Sequence, residues 1–238
     1  MKNQNNHFHK MFSPEQLAKI DATEPGGPIP GLIPYGLTFL TGPKFSGKSF
    51  LMLQAGCALG SAGQFLGLAL RPGRVLYYAL EDTPGDLRER TARQGMKPDT
   101  RIDYCLALRP LHLGGLEELD LFALRGEYDL IVIDSFRRAL MGLDLRKEAV
   151  LFENILFLLR KVAVQNRLAI AAIQPTFARR PAVDAIVPEL ARAADCMLEI
   201  QEGPVRMNST LSVRLKGMEE VKLAIWFDTE TFTWQLME

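Results

Sequence analysis

The sequence predicts an α/β protein with a mostly parallel sheet, helices on both of its faces and an antiparallel extension toward the C-terminus. Three observations carry that expectation. From Gly36 onward, strand-like and helix-like segments alternate along the chain. Several strand-like runs are apolar throughout instead of alternating, which suits parallel strands covered on both faces. After Pro188 the helical periodicity gives way to short strands separated by glycine-containing turns.

Bulk composition fits one domain of this kind. The 238 residues suffice for one large α/β domain with short appendages. Hydrophobic residues at 47% and charged residues at 24% exclude wholesale disorder. The 28 basic and 28 acidic side chains cancel, so overall charge gives no support for nucleic-acid binding, and any such contact has to come from a local patch. Cys57, Cys105 and Cys196 stand far apart and outside metal-ligand spacings, which predicts buried free thiols in a reducing compartment. His7 and His9 lie in a polar stretch without partner ligands. No N-terminal apolar run resembles a signal peptide. The most apolar stretch, 151–173, carries Glu153, Arg160, Lys161 and Arg167, so no membrane span is expected and a cytoplasmic location is.

Taken in order, residues 1–34 read as an N-terminal arm with a short helix and 35–238 as the main domain. In the arm, Ser13 can cap a helix with Pro14 at its first position, Gln16 can complete a capping box, and Phe12 can staple onto Leu17. The run Glu24-Pro25-Gly26-Gly27-Pro28 ends that helix. A strand is expected over 36–41, a helix over 48–59 and a strand over 74–80, after the break at Arg71-Pro72-Gly73. Thr83 as cap and Pro84 start the next helix. Strands are expected over 102–107 and 130–133, then a helix over 148–166 with Val150, Leu151, Ile155, Leu158, Leu159 and Val162 on one side. A buried strand over 168–173 follows, and then short strands over 196–200, 210–215 and 223–227.

Chemistry enters at Gly42-Pro43-Lys44-Phe45-Ser46-Gly47-Lys48-Ser49, which fits the phosphate-binding pattern G-x-x-x-x-G-K-[ST] in full, between a strand and a helix. Glycines let backbone N–H groups curl around phosphates, and the helix start, with Phe50 behind Ser49, adds its positive end. Lys48 is expected to neutralise the β- and γ-phosphates of ATP, and Ser49 to place a hydroxyl on Mg2+. Asp134 ends the apolar strand 130–133, where an acid holding magnesium through water stands in such sites; its alternative is a helix cap. Glu81 ends the strand 74–80 and is the candidate base for the attacking water; alternatively Glu81 and Asp82 merely begin the next helix, with capping the reading preferred for Asp82. Gln174, at the end of the strand 168–173, either senses the γ-phosphate or water, or is a polar residue before Pro175.

With these residues placed, the chain resembles the RepA-like branch of RecA-type P-loop ATPases, which includes the hexameric replicative helicases of some plasmids. The similarity spans roughly Ile29 to the C-terminus. It rests on Pro30-Gly31-Leu32-Ile33-Pro34-Tyr35-Gly36-Leu37, the phosphate loop, Val75-Leu76-Tyr77-Tyr78-Ala79-Leu80-Glu81-Asp82 with Leu87-Arg88-Glu89-Arg90, Ile133-Asp134-Ser135-Phe136-Arg137-Arg138, and the stretch 213–234. The resemblance implies a RecA-like core, Glu81 as catalytic glutamate, Asp134 as magnesium acid, and Arg214 with Lys216 as a finger reaching a neighbour's nucleotide. A bland alternative for the last pair is a basic edge that discourages aggregation. The chain departs from the family's usual His pair with Gln174-Pro175.

Two functions follow. One is a homo-oligomeric ring, hexameric in the resembled family, that hydrolyses ATP and moves on or remodels single-stranded DNA in plasmid, phage or mobile-element replication. Arg146, Lys147, Arg179 and Arg180, near Phe177, are then candidates for tracking its phosphates, unless they are solvated surface charges. The other is an ATP-dependent oligomeric switch or scaffold that recruits a partner protein, favoured by the lack of a primase, winged-helix or zinc module. A small-molecule kinase fits less well, because Glu81 and the C-terminal strands match hydrolases.

Overall fold

The computed structural model describes residues 13, 14, 26–145, 147–176, 186–203 and 208–237. The expected helix of the arm lies outside them except for Ser13 and Pro14, and so do Arg146, Phe177, Arg179 and Arg180. The strands are β1 (Gly36–Pro43), β2 (Gln64–Phe65), β3 (Leu68–Ala69), β4 (Val75–Ala79), β5 (Ile102–Cys105), β6 (Leu130–Asp134), β7 (Ala169–Thr176), β8 (Cys196–Glu202), β9 (Asn208–Leu215), β10 (Val221–Asp228) and β11 (Thr233–Leu236). The helices are α1 (Lys48–Ser61), α2 (Pro84–Arg93), α3 (Gly115–Arg125), α4 (Phe136–Ala139), α5 (Ala149–Gln165) and α6 (Val187–Ala193).

Nine strands form one sheet in the order β11-β10-β9-β8-β1-β7-β6-β4-β5, with β2 and β3 a separate small hairpin. From β8 to β5 every neighbour is parallel; β8 to β11 are antiparallel. The predicted fold class is therefore the observed one. Each face of the sheet carries its own core. On one side α1 and α2 pack with Tyr77, Val132, Ala171, Ile200 and Trp234, and Ile29, Leu32 and Ile33 join them. On the other, α3 to α6 cover Phe39, Tyr78, Ile131, Ile133 and Ile170. Phe39 meets Phe136 edge to face at 5.0 Å, both fully buried, and cutting Phe39 to alanine should cost about 3–5 kcal/mol.

The start of α2 matches its expected chemistry. Thr83 Oγ1 accepts from the Asp86 amide at 3.2 Å, and the Asp86 carboxylate accepts from the Thr83 amide at 3.2 Å, a reciprocal cap with Pro84 in the first turn. Asp82 therefore does not cap. It forms an ion pair with Arg90 at 2.8 Å, because Thr83 sits one residue closer to the helix and takes the capping position.

On α5 the expected core face is turned. Phe152, Ile155, Leu156, Leu159 and Ala163 are buried, whereas Val150, Leu151 and Leu158 are exposed. Ile155 and Leu159 of the expected stripe are buried and Val162 packs against the core, but the buried stripe is centred toward Phe152, Leu156 and Ala163, on the far side from Val150 and Leu158. Among the cysteines Cys57 and Cys196 are buried free thiols, but Cys105, on the sheet-edge strand β5, is only partly covered. Among the described residues no helix is long and apolar enough to cross a membrane.

Candidate functional site

Four neighbouring parallel strands deliver four sets of side chains to one edge. β1, β7, β6 and β4 end, in sheet order, at the Gly42 loop, Gln174, Asp134 and Glu81. The carboxyl ends of parallel strands are where open α/β sheets place ligands. There they line a cleft of about 1260 Å³, with Lys48, Ser49, Phe50 and Arg138 also on its wall.

The loop between β1 and α1 owes its shape to two glycines. Gly42 has φ 144° and a side chain there would meet the Ile200 carbonyl at 2.7 Å; Gly47 has φ 78° and would drive a Cβ into Trp234 at 2.7 Å. Phe45 holds a left-handed φ of 67° without being glycine and projects into solvent, 90% exposed, with the Lys44 ammonium 4.6 Å from its ring. Lys48 is buried and folds back over the loop, donating to the Pro43 carbonyl and, at 3.2 Å, to Ser46 Oγ. Burial lowers its pKa to about 8, with Asp134 and then Glu202 opposing that shift.

Asp134 is 6% exposed and its Oδ2 accepts a hydrogen bond from the Tyr77 hydroxyl at 2.8 Å. Burial raises its pKa to about 6, against the hydrogen bonds from Ser49 and Tyr77 that lower it. Ser49 and Asp134, the two residues singled out for magnesium, thus lie side by side. Glu81 is exposed in the cleft; Ser135 Oγ donates to its Oε1 at 2.6 Å and the Arg138 guanidinium lies 3.8 Å away. Gln174 is 1% exposed. Its Nε2 donates to the Pro175 carbonyl at 3.1 Å, while its buried Oε1 has no hydrogen-bond partner among the described residues.

The donor set fits a nucleotide with a divalent cation. α1 begins without a side-chain cap and without an acidic residue in its first turn, leaving amides that an anion can satisfy. The desolvated Lys48 ammonium lines the same cleft. Ser49 and Asp134 could hold magnesium, Asp134 through water.

Arg214 and Lys216 are not brought to this cleft. Arg214 pairs with Met197 on β8, which in turn lies beside Phe39 on β1, well back from the loop that begins at Gly42. Its guanidinium lies 3.7 Å from both Glu199 and Glu220, and Lys216 follows β9 in a turn, exposed. Sequence reasoning passed over Tyr77, Ser135, Arg138, Gln54 and Trp234. Tyr77 had a signal, since a tyrosine inside an otherwise apolar strand needs a partner for its hydroxyl. Trp234 had none, because its contact with Gly47 spans 187 positions.

The fold is RecA-like, a mostly parallel sheet with an antiparallel extension. The structure superposes on a solved structure described as an ATPase domain with a TM-score of 0.67 at 10% identity, covering 86% of this chain and 85% of that one. On the crystal structure of the RadB recombinase the TM-score is 0.60 at 18% identity, with 88% and 94% covered. A family model described as the AAA domain matches residues 14–173, and the chain belongs to that family. No curated protein matches the sequence.

Proposed function

We propose that the chain is a magnesium-dependent ATPase that works as a homo-oligomer on single-stranded DNA, of the RepA-like kind its motifs resemble. The observation that carries this reading is the convergence of a capless helix start and the buried Lys48 with Asp134, Glu81 and Gln174 at the ends of adjacent strands. Residues Gly42 to Phe50 wrap the triphosphate, with Lys48 on its outer phosphates. Ser49 and Asp134 hold the cation, which when bound draws charge from the phosphate oxygens. Glu81 orients the attacking water and accepts its proton at one carboxylate oxygen, while the Ser135 hydroxyl holds the other, Oε1. The Oε1 of Gln174, without a partner among the described residues, can accept from the same water.

Arg214 and Lys216 belong to a neighbour's site in this reading, since their own cleft is out of reach. The likeness to a recombinase supports action on DNA. The division into an arm, 1–34, and an ATPase domain, 35–238, is part of the same proposal, as is a cytoplasmic location. Lys48→Ala should abolish hydrolysis and bind ATP far more weakly; near-normal turnover in that variant would remove the ATPase reading. Single-stranded DNA should raise the rate of the unmodified chain. An ATPase indifferent to DNA would instead indicate the oligomeric switch or scaffold.

A further inference from the structure

The C-terminal hairpin reaches across α1 and grips the phosphate loop. Trp234 is buried, 3% exposed, and its indole Nε1 donates to the Gly47 carbonyl at 3.1 Å. That same carbonyl accepts the first helical bond of α1, from Leu51 at 3.0 Å. Gln54, one turn further along α1, binds the outward side of β11 as another strand would. Its Oε1 accepts from the Trp234 amide at 2.8 Å, and its Nε2 donates to the Trp234 carbonyl at 2.9 Å. Around this point Phe50 lies 5.4 Å from Phe227 and 4.9 Å from Phe232, and Phe227 lies 5.1 Å from Trp234. Gln94 closes the arrangement by donating to the carbonyls of Phe50 and Phe232.

We propose that Trp234 is a positioning residue for the phosphate loop, aiming the Lys48 amide by holding the Gly47 carbonyl. The proposal rests on the reading of the cleft as an ATP site. Its physical basis is the planarity of the peptide unit. The Gly47 carbonyl and the Lys48 N–H belong to one rigid plane and point in opposite directions. A donor that fixes the carbonyl on the hairpin side fixes the N–H on the phosphate side. Glycine at 47 leaves this plane free to rotate, having no side chain to brace it, and the absence of a Cβ is also what admits the indole. The indole on β11 thus adds a second hold on a carbonyl that the Leu51 amide holds from the helix side. Gln54 holds the brace in turn by fixing the backbone of Trp234 itself.

The test uses a fluorescent N-methylanthraniloyl ATP analogue with magnesium and the full chain. Trp234→Phe keeps an aromatic ring but removes the N–H. Its dissociation constant for the analogue, and its KM for ATP, should rise about 2–12-fold, the loss of one net hydrogen bond, with kcat changed far less. Trp226→Phe, at the chain's other tryptophan, should bind as the unmodified chain does. In that single-tryptophan background Trp234 emission should change when ATP and magnesium are added, and not when Lys48→Ala is also present. Unchanged affinity in Trp234→Phe, or unchanged Trp234 emission while the analogue binds, would overturn the positioning role. If Trp234→Phe does not fold, the emission measurement decides alone. Failure of the unmodified chain to bind the analogue would instead overturn the ATP reading itself.

Discussion

Replacing Asp134 by asparagine is expected to raise the thermal stability of the nucleotide-free chain while removing the hold on magnesium proposed for it. Burial raises the Asp134 carboxyl from the ordinary 3.8 to about 6, and the hydrogen bonds from Ser49 and Tyr77 only partly offset it. The sign follows from linkage. A carboxyl whose pKa is higher in the folded chain binds its proton more tightly there. Its favourable contribution is complete below pH 3.8 and is lost as pH rises through 6. Above that the ionised group works against folding by about 3 kcal/mol as an order of magnitude, and by roughly half as much at pH 5. Asparagine keeps an oxygen for the Tyr77 hydroxyl and carries no charge to desolvate. In a domain of this size the gain corresponds to a melting temperature higher by about 6–12 °C at neutral pH. Melting curves of both chains in a chelator, from pH 5 to pH 8, should show that gap narrowing as pH falls. An asparagine variant that melts below the parent at pH 7, or a gap independent of pH, would refute the reasoning.

Glu81→Gln should still bind ATP and magnesium but hydrolyse about 10²–10⁴-fold more slowly in a steady-state assay; full activity there with an inactive Asp82→Asn would move the base to Asp82. Arg214→Ala should be nearly inactive alone yet bind ATP, and mixing it with Lys48→Ala should restore part of the activity through interfaces that pair an intact loop with an intact finger. An arginine acting in this way can contribute about 10³–10⁵ in rate. Turnover independent of protein concentration, with no rescue on mixing, would place the whole site in one chain.

Much of the parallel core was legible because local signals agreed. An apolar run, a glycine loop and a lysine at the start of a helix specify β1 and α1 without help from elsewhere, and Thr83-Pro84 specifies the start of α2. Where signals were ambiguous or absent, the sequence was silent. The helix α3 carries Leu121 and Leu124 on its exposed side and Leu119 on its buried one, which blurs its periodicity. On α5 the apolar stripe is wider than the face the core covers, so its centre was placed toward Val150 and Leu158, which are exposed, although Ile155 and Leu159 are buried. At the site, residues that end apolar strands could be picked out one by one. Their partners, Ser135 on Glu81 and Trp234 on Gly47, are set by sheet order and by a hairpin closing from the far end of the sheet. Neither is written in local spacing.

The position of β1 has a consequence for how the protein is made. It sits in the middle of the sheet, yet both of its neighbours, β7 and β8, are translated long after it. Gly47 then waits for Trp234, 187 residues later. At roughly 5–20 residues per second on a ribosome, that interval is about ten to forty seconds. Until β7 and β8 emerge, an apolar strand with both edges open is available to chaperones and to other nascent chains. The nucleotide site is therefore among the last parts of the domain to be completed during synthesis. A nascent chain arrested after β8 would contain the whole phosphate loop and its parallel neighbours, but not the indole that braces it.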